Sequence, residues 1–189
     1  LDRILGAEAD SPNNYKVSKQ ADVLMLFYLF TSEQLNSIFD RLGYSFDYDT
    51  IPDNIKYYID RTSHGSTLSW VVHSWVLSRS NRKESWELFK SALKSDIIDI
   101  QGGTTNEGVH LGAMGGSVNI LQNNYTGIRM HQDVLWFNPR LPDELECLDM
   151  VIRYRGHCLE LKFTTEKFKV TALRTAKKPI IIGFKEKTY

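Results

Sequence analysis

Asn106-Glu-Gly-Val-His-Leu-Gly-Ala-Met-Gly-Gly-Ser-Val-Asn-Ile-Leu-Gln-Asn-Asn-Tyr-Thr-Gly-Ile-Arg129 is where one structural grammar gives way to another. Asn106 is a helix-capping residue type, and residues 107–122 read as the helix it starts. Past Tyr125 the chain changes to short runs that alternate apolar and polar residues, the period of a strand. The charge changes sign at the same place. Residues 1–124 hold 11 Lys and Arg against 15 Asp and Glu, and residues 125–189 hold 12 against 8. The expected fold class is α+β, with a helical unit over 1–124 and a small antiparallel β-domain over 125–189.

Working back from that junction, Gly112, Gly115 and Gly116 lie inside the expected helix, and each costs it about 1 kcal/mol relative to alanine. Gly112 and Gly116 are spaced i, i+4, so close approach of a neighbouring helix is the expected gain. Residues 21–30 are apolar nearly all round, as in a helix buried within a larger helical assembly. Thr31 and Gln34 have capping-box spacing, and Gly43 stands where a glycine ends a helix. Pro52 suits the first turn of a helix over 53–60. Ser66 or Thr67 is placed to cap residues 68–78, and 82–95 carries Trp86, Phe89 and Leu93 on one stripe. On the other side of the junction, residues 127–130, 134–137, 148–155, 158–163, 168–173 and 180–182 read as short strands. A tight turn is expected at Gly156.

Composition excludes several functional classes. The 23 Lys and Arg are balanced by 23 Asp and Glu, which lacks the basic surplus of a nucleic-acid surface. The longest apolar run, residues 23–30, falls far short of the roughly 18 residues that span a bilayer, so no membrane partner is expected. The start, Leu-Asp-Arg-Ile-Leu-Gly-Ala-Glu-Ala-Asp, has no basic region followed by an apolar one, and no signal peptide is expected. Two cysteines, Cys147 and Cys158, do not make a disulfide framework, and a reducing, cytoplasmic setting is expected. His64, His73, His110 and His131 show no metal-ligand spacing, and His73 and His110 fall in apolar helical stretches as core histidines do. No nucleophile elbow, phosphate-binding P-loop or dinucleotide fingerprint occurs.

Arg61-Thr-Ser-His-Gly-Ser-Thr-Leu-Ser69 is the most informative stretch for chemistry. Hydroxyls, an imidazole, a guanidinium and a glycine stand just before a helix, where free N–H groups and the positive end of the dipole favour an anion, phosphate above all. The same residues also make a well-capped helix, and the local sequence leaves the two readings even. Gly102-Gly-Thr-Thr-Asn-Glu-Gly108 repeats the character, with glycines that admit close backbone approach and threonines that supply hydroxyls. Lys19 and Gln20 put long donors at the entrance to the apolar helix, although spacing alone favours a solvated pair there. Glu107 is the best-placed carboxylate, although a first-turn acid that complements the helix dipole is the plainer account of it.

These stretches carry a family likeness. Lys19-Gln-Ala-Asp-Val23, the run from Arg61, Gly103-Thr-Thr-Asn-Glu-Gly-Val-His-Leu-Gly-Ala-Met114, Tyr125-Thr-Gly-Ile-Arg129 and Asp133-Val-Leu-Trp-Phe-Asn-Pro-Arg-Leu-Pro142 resemble, in order, the C-terminal third of glycoside hydrolase family 65. That family includes maltose, trehalose, kojibiose and nigerose phosphorylases. The resemblance implies the last helices of an (α/α)6 barrel over 1–124 and a C-terminal sheet domain over 125–189, both parts of a longer protein. It implies inverting phosphorolysis of an α-linked glucose disaccharide to β-glucose 1-phosphate and a free sugar. Inorganic phosphate is the co-substrate, with no metal or other cofactor. Lys19 and Gln20 match the residues that contact the cleaved glucose. Ser63, His64, Gly65 and Ser66, together with Gly103, Thr104 and Thr105, match the phosphate pocket.

The expected partners are the disaccharide, phosphate, the upstream remainder of the barrel and a second subunit, since family members often pair as homodimers. The family's general acid is a glutamate in a Gly-Pro-Asp-Glu-Tyr type motif ahead of the Lys-Gln pair, and no such motif occurs here. No catalytic acid is therefore assigned to this chain, which alone is expected to be inactive. A hydrolase of the same family and a non-catalytic structural or interaction module are the alternatives.

Overall fold

The computed structural model describes residues 2–18, 20–63, 66–99, 106, 108–174, 178–184 and 187–188. Contacts divide the chain into two units, Leu1–Ser117 and Val118–Tyr189. The architecture is α+β, as the sequence predicts.

The first unit is helical: α1 (Asp2–Ala7), a 3-10 turn (Pro12–Asn14), α2 (Met25–Leu29), α3 (Ser32–Leu42), α4 (Thr50–Ile59), α5 (Thr67–Leu77), α6 (Arg82–Lys94) and the start of α7 (Leu111–Asn119). Its punctuation follows local chemistry. Thr31 and Gln34 form both bonds of a capping box ahead of α3, and Gly43 ends that helix in the left-handed region at φ +80°. Asn81 caps α6 through the Glu84 N–H. The centre of the unit is α5, where eight residues of the helix, polar ones included, are buried. Ala21 and Leu24 pack with Val72, Val76 and Leu77.

The α5–α6 contact holds an exchange that hydropathy does not signal. Ser74 Oγ donates to the Ser85 carbonyl at 2.8 Å, and Ser85 Oγ donates to the Ser74 carbonyl at 2.6 Å, all buried. The buried positions of α6 are thus Ser85, Phe89 and Ala92. Of the expected stripe, Trp86 stacks on Phe89 while Leu93 is exposed.

Three expectations need correction. The apolar run 21–30 yields only a five-residue helix, and within these 189 residues Leu26, Leu29 and Phe30 are exposed. The last helix begins at Leu111 rather than Glu107, because Gly108 adopts φ +100°, outside the helical region. Of the two glycines expected at a close contact, only Gly116 makes one: a Cβ there would lie 2.5 Å from Val71 Cγ1 on α5. Among the described residues nothing comes within 4 Å of a Cβ at Gly112 or Gly115.

The second unit continues from α7 through a π-helical turn (Ile120–Tyr125) into β1 (Arg129–His131), β2 (Val134–Phe137), β3 (Cys147–Tyr154), β4 (His157–Thr164), β5 (Phe168–Arg174), β6 (Ile181–Phe184) and β7 (Lys187–Thr188). These form two sheets rather than one, ordered β1-β2-β6-β7 and β3-β4-β5. The pairings are antiparallel except for β2 with β6, which run parallel. Strand β4 alternates, with Leu159, Leu161 and Phe163 buried. Phe137 and Phe184 of the first sheet meet Phe163 and Phe168 of the second through ring contacts. Gly183 leaves room for the Trp136 ring on the neighbouring strand, whose Cε3 would lie 2.2 Å from a Cβ there. Two-residue hairpin turns at Gln132-Asp133 and Arg155-Gly156 have positive φ throughout, the mirror-image turn that matches strand twist. The Arg155 guanidinium pairs with the Asp133 carboxylate, which ties the two turn tips together and raises the Arg155 pKa further.

Candidate functional site

The candidate residues fall on three segments: the one that enters α2, the loop that starts α5, and the stretch between α6 and α7. Lys19, His64, Gly65, Gly103, Thr104, Thr105 and Glu107 lie outside the described residues. Gln20, Ser63 and Ser66 lie within them.

The first two segments are 45 residues apart in sequence and run side by side. Ser18 N–H donates to the Arg61 carbonyl at 2.8 Å, and Ser63 N–H donates to the Ser18 carbonyl at 2.9 Å. Ser18 and Thr62 thereby form an isolated parallel bridge. Three residues on from Ser18, the Ala21 N–H donates to Ser69 Oγ at 3.3 Å, a buried bond. Gln20 is therefore flanked by Ser18, bonded to the loop before α5, and by Ala21, bonded to the first turn of α5. Ser18 Oγ also donates to the Gln20 carbonyl at 2.5 Å, which sets the local turn.

Ser66 caps α5. Its backbone is extended, and its Oγ accepts the Leu68 N–H at 3.3 Å. A hydroxyl that accepts in this way keeps its own O–H for another acceptor. The first turn of α5 carries no acidic residue, so the positive end of its dipole is not neutralised from within. The start of this eleven-residue helix, with Ser66 partly exposed and Thr67 and Ser69 buried, carries donors suited to an anion. Arg61, a candidate for added charge, turns back onto α4: it donates to the Tyr57 carbonyl at 2.9 Å and lies 3.9 Å over the Tyr57 ring. Thr62 Oγ donates to the Tyr58 carbonyl at 2.7 Å, which anchors the same loop to α4.

Upstream of Ser18 the chain is shaped by Asp10. Its carboxylate accepts from Tyr15 OH at 2.5 Å, Asn14 Nδ2 at 2.6 Å and Ser11 N–H at 2.7 Å. These bonds, Tyr15's foremost, lower the Asp10 pKa, and the same bond raises that of Tyr15.

The third stretch, residues 97–109, is fastened where it meets the helices. Asp96 accepts the His110 backbone N–H through Oδ2 at 3.0 Å, and its Oδ1 lies 2.5 Å from His110 Nδ1. His110 therefore stands at the start of α7 with a carboxylate partner instead of inside a helix, whereas His73 is fully buried on α5. Local spacing gives Ser18 and Asp96 no special role, and it does not say what Ser69, the last residue of the Arg61–Ser69 stretch, bonds. Each acts through a contact that spans 14 to 48 residues, which no local period encodes. Among the described residues no group of three or more His, Cys, Asp or Glu is placed to hold a metal, and no helix is long and apolar enough to cross a membrane.

Comparison with known proteins agrees across methods. Residues 1–119 match the glycosyl hydrolase family 65 central catalytic domain, and residues 128–189 match the C-terminal domain of the same family. An uncharacterized glycosyl hydrolase of Mycobacterium tuberculosis is 49% identical over 180 residues, 95% of this chain and 14% of that protein. Trehalose 6-phosphate phosphorylase of Lactococcus lactis is 35% identical over 173 residues, 91% of this chain and 22% of the relative. A solved structure described as a kojibiose phosphorylase from the human microbiome superposes with a TM-score of 0.72 at 25% identity, covering 92% of this chain and 21% of that one. The chain thus spans between about a seventh and a fifth of the length of these proteins.

Proposed function

The chain belongs to glycosyl hydrolase family 65, and from that premise we propose that it forms the phosphate-binding and part of the glucose-binding portion of an inverting disaccharide phosphorylase. Residues 1–124 contribute the last helices of an (α/α)6 barrel, and 125–189 form the terminal sheet domain. The enzyme works in the cytoplasm on an α-linked glucose disaccharide.

One observation supports the reading: the backbone bonds of Ser18 with Arg61 and Ser63, and the bond from the Ala21 N–H to Ser69 Oγ, join the chain on both sides of Gln20 to the residues that lead into and begin α5. A phosphorolytic site needs this adjacency. The nucleophile is an oxygen of inorganic phosphate, which must lie on the face of the sugar opposite the leaving group and within bonding reach of the anomeric carbon. In the reaction the phosphate oxygen forms the new bond to that carbon, and the glycosidic C–O bond breaks. The departing oxygen takes a proton from a carboxylic acid, which the proposal assigns to residues outside these 189.

Within the chain, Lys19 and Gln20 hold the glucose. Ser63, His64, Gly65 and Ser66, with Gly103, Thr104 and Thr105, bind the phosphate through N–H groups, hydroxyls and an imidazole. The helical unit's net acidic balance means that local donors, not bulk charge, hold the anion. Phosphate is the co-substrate and no metal takes part. The phosphorylases of trehalose 6-phosphate and kojibiose among the relatives support this over hydrolysis.

The test is to incubate the complete protein that carries these residues with a panel of α-linked glucose disaccharides, with and without phosphate. β-Glucose 1-phosphate formed only with phosphate is the expected result. Free glucose released at the same rate without phosphate would make it a hydrolase, and sugar turnover by neither route would leave a structural module.

A further inference from the structure

We propose that strand β3 is a docking edge for a second copy of this chain, the two strands pairing antiparallel about a two-fold axis at Val151. The proposal is independent of the phosphorolytic reading. An edge strand presents a row of unpaired backbone groups, and folds blunt such edges by shortness, bulges, Lys or Pro. Among the described residues, three of the four sheet edges are blunted in these ways. β1 has three residues and β7 two. β5 carries the exposed Lys169 and breaks register with β4 opposite Cys158 and Leu159. β3 is the exception: its eight residues hold unbroken register with β4 and include neither Lys nor Pro.

The hairpin turn decides which backbone groups of β3 are left over. The two-residue mirror-image turn at Arg155-Gly156 closes on a hydrogen-bonded pair, Tyr154 with His157. Bonding direction alternates along an antiparallel strand, so Tyr154, Ile152, Met150 and Leu148 turn their N–H and C=O groups toward β4. Those of Arg153, Val151, Asp149 and Cys147 turn outward, and the side chains of the same four residues are exposed. On the other face, Leu148, Met150 and Ile152 are only half-buried, although their β4 partners Phe163, Leu161 and Leu159 are fully buried. The cover they lack is on the edge side.

The residues of the edge identify its occupant. Across a two-fold axis at Val151, antiparallel pairing sets Asp149 opposite the partner's Arg153, and Arg153 opposite the partner's Asp149. The two Val151 side chains, each 59% exposed, meet between these pairs. Opposite charges directly across strands attract, and like charges repel. An axis at Met150 would set Asp149 against Val151 and Arg153 against Cys147. An axis at Ile152 would set Asp149 against Arg155, whose guanidinium already pairs with Asp133. Only the Val151 axis gives both charge pairs, and it also lays Met150 beside the partner's Ile152 on the half-buried face. Asp149 lies 3.8 Å from Lys162 with both side chains at least half exposed, and Arg153 makes no ion pair among the described residues. A self-complementary contact of this kind closes at two copies.

One strand pair is smaller than a standard protein interface, so the test captures a weak contact covalently. In the complete protein, Val151→Cys puts two thiols across the axis, where the Cα atoms of a hydrogen-bonded pair stand about 5.5 Å apart, within disulfide reach. Oxidation with copper phenanthroline should give a covalent dimer on a non-reducing gel. The parent is the background: in this register its exposed Cys147 lies opposite the partner's Arg155, at the far end of the strand from the partner's Cys147. Adding either Arg153→Asp or Asp149→Arg to Val151→Cys sets like charges across the axis and should cut the yield about tenfold. Mixing those two proteins, or combining both exchanges in one chain, brings opposite signs together again and should restore it. A Val151→Cys yield no higher than the parent's, or one indifferent to the charge exchanges, overturns the proposal. Association through any other surface appears equally in the parent and is subtracted.

Discussion

Ala21 donates its buried backbone N–H to the hydroxyl of Ser69, 48 residues further along the chain. Two segments that sequence alone treats as separate candidates are thereby joined. Ser69→Ala leaves that N–H without an acceptor, which costs about 1–3 kcal/mol. Urea unfolding of the protein should show the loss, and in the complete enzyme the KM for the glucosyl substrate should rise, since Gln20 is adjacent. An unchanged urea midpoint would show that the bond contributes nothing.

Ser66 allows stability and anion binding to be separated. Ser66→Ala removes the cap of α5 and costs about 1 kcal/mol. Ser66→Asp restores a strong capping acceptor, so thermal stability should return to near that of the parent. It also puts a negative charge where phosphate is to bind. Phosphate affinity, read by calorimetry or by KM, should fall further in Ser66→Asp than in Ser66→Ala. Equal affinities in the two variants would contradict an anion at this helix start.

The glycines of α7 should respond in opposite directions. Gly112→Ala meets nothing within 4 Å among the described residues and should stabilise by up to about 1 kcal/mol through helix propensity. Gly116→Ala drives a methyl group into Val71 and should destabilise by about 1–3 kcal/mol. Paired melting curves of the two variants check both signs.

The Asp10–Tyr15 bond gives a pH dependence with two edges. Asp10 titrates below its ordinary 3.8, so its contribution is present above that value and is lost as pH falls through the lower, folded one. Tyr15 titrates above its ordinary 10.0, so its contribution is present below that value and is lost as pH rises through the higher one. Asp10→Asn should abolish both edges. Ultraviolet titration should find one phenol that ionises late in the parent and in line with ordinary tyrosines in the variant.

The legible parts of this chain are those governed by short spacing. The Thr31–Gln34 box, the closing turn at Gly43, the Ser66 cap and the alternation of β4 all follow from residues within one or two turns of each other. The start of the last helix escapes local reading because Gly108 and Asp96 decide it, one by a positive φ and the other by a contact across 14 residues. The parallel pairing of β2 with β6 is illegible for a similar reason: strand period reports which face is buried, not which partner lies alongside. In the candidate site, residue types identified the segments. Their adjacency, which gives them chemical meaning, came only from the bonds of Ser18, Ser63, Ala21 and Ser69.

The serine exchange between α5 and α6 works as a vernier. If α5 slid along its neighbour by a single residue, Ser74 and Ser85 would no longer face each other, and two buried hydroxyls would lose the carbonyls that now receive them. Only one axial setting satisfies both. Ser66 lies about two turns along the same rigid rod. The height at which the helix presents its first N–H groups is thus calibrated from its far end, by two of the smallest polar side chains in the molecule.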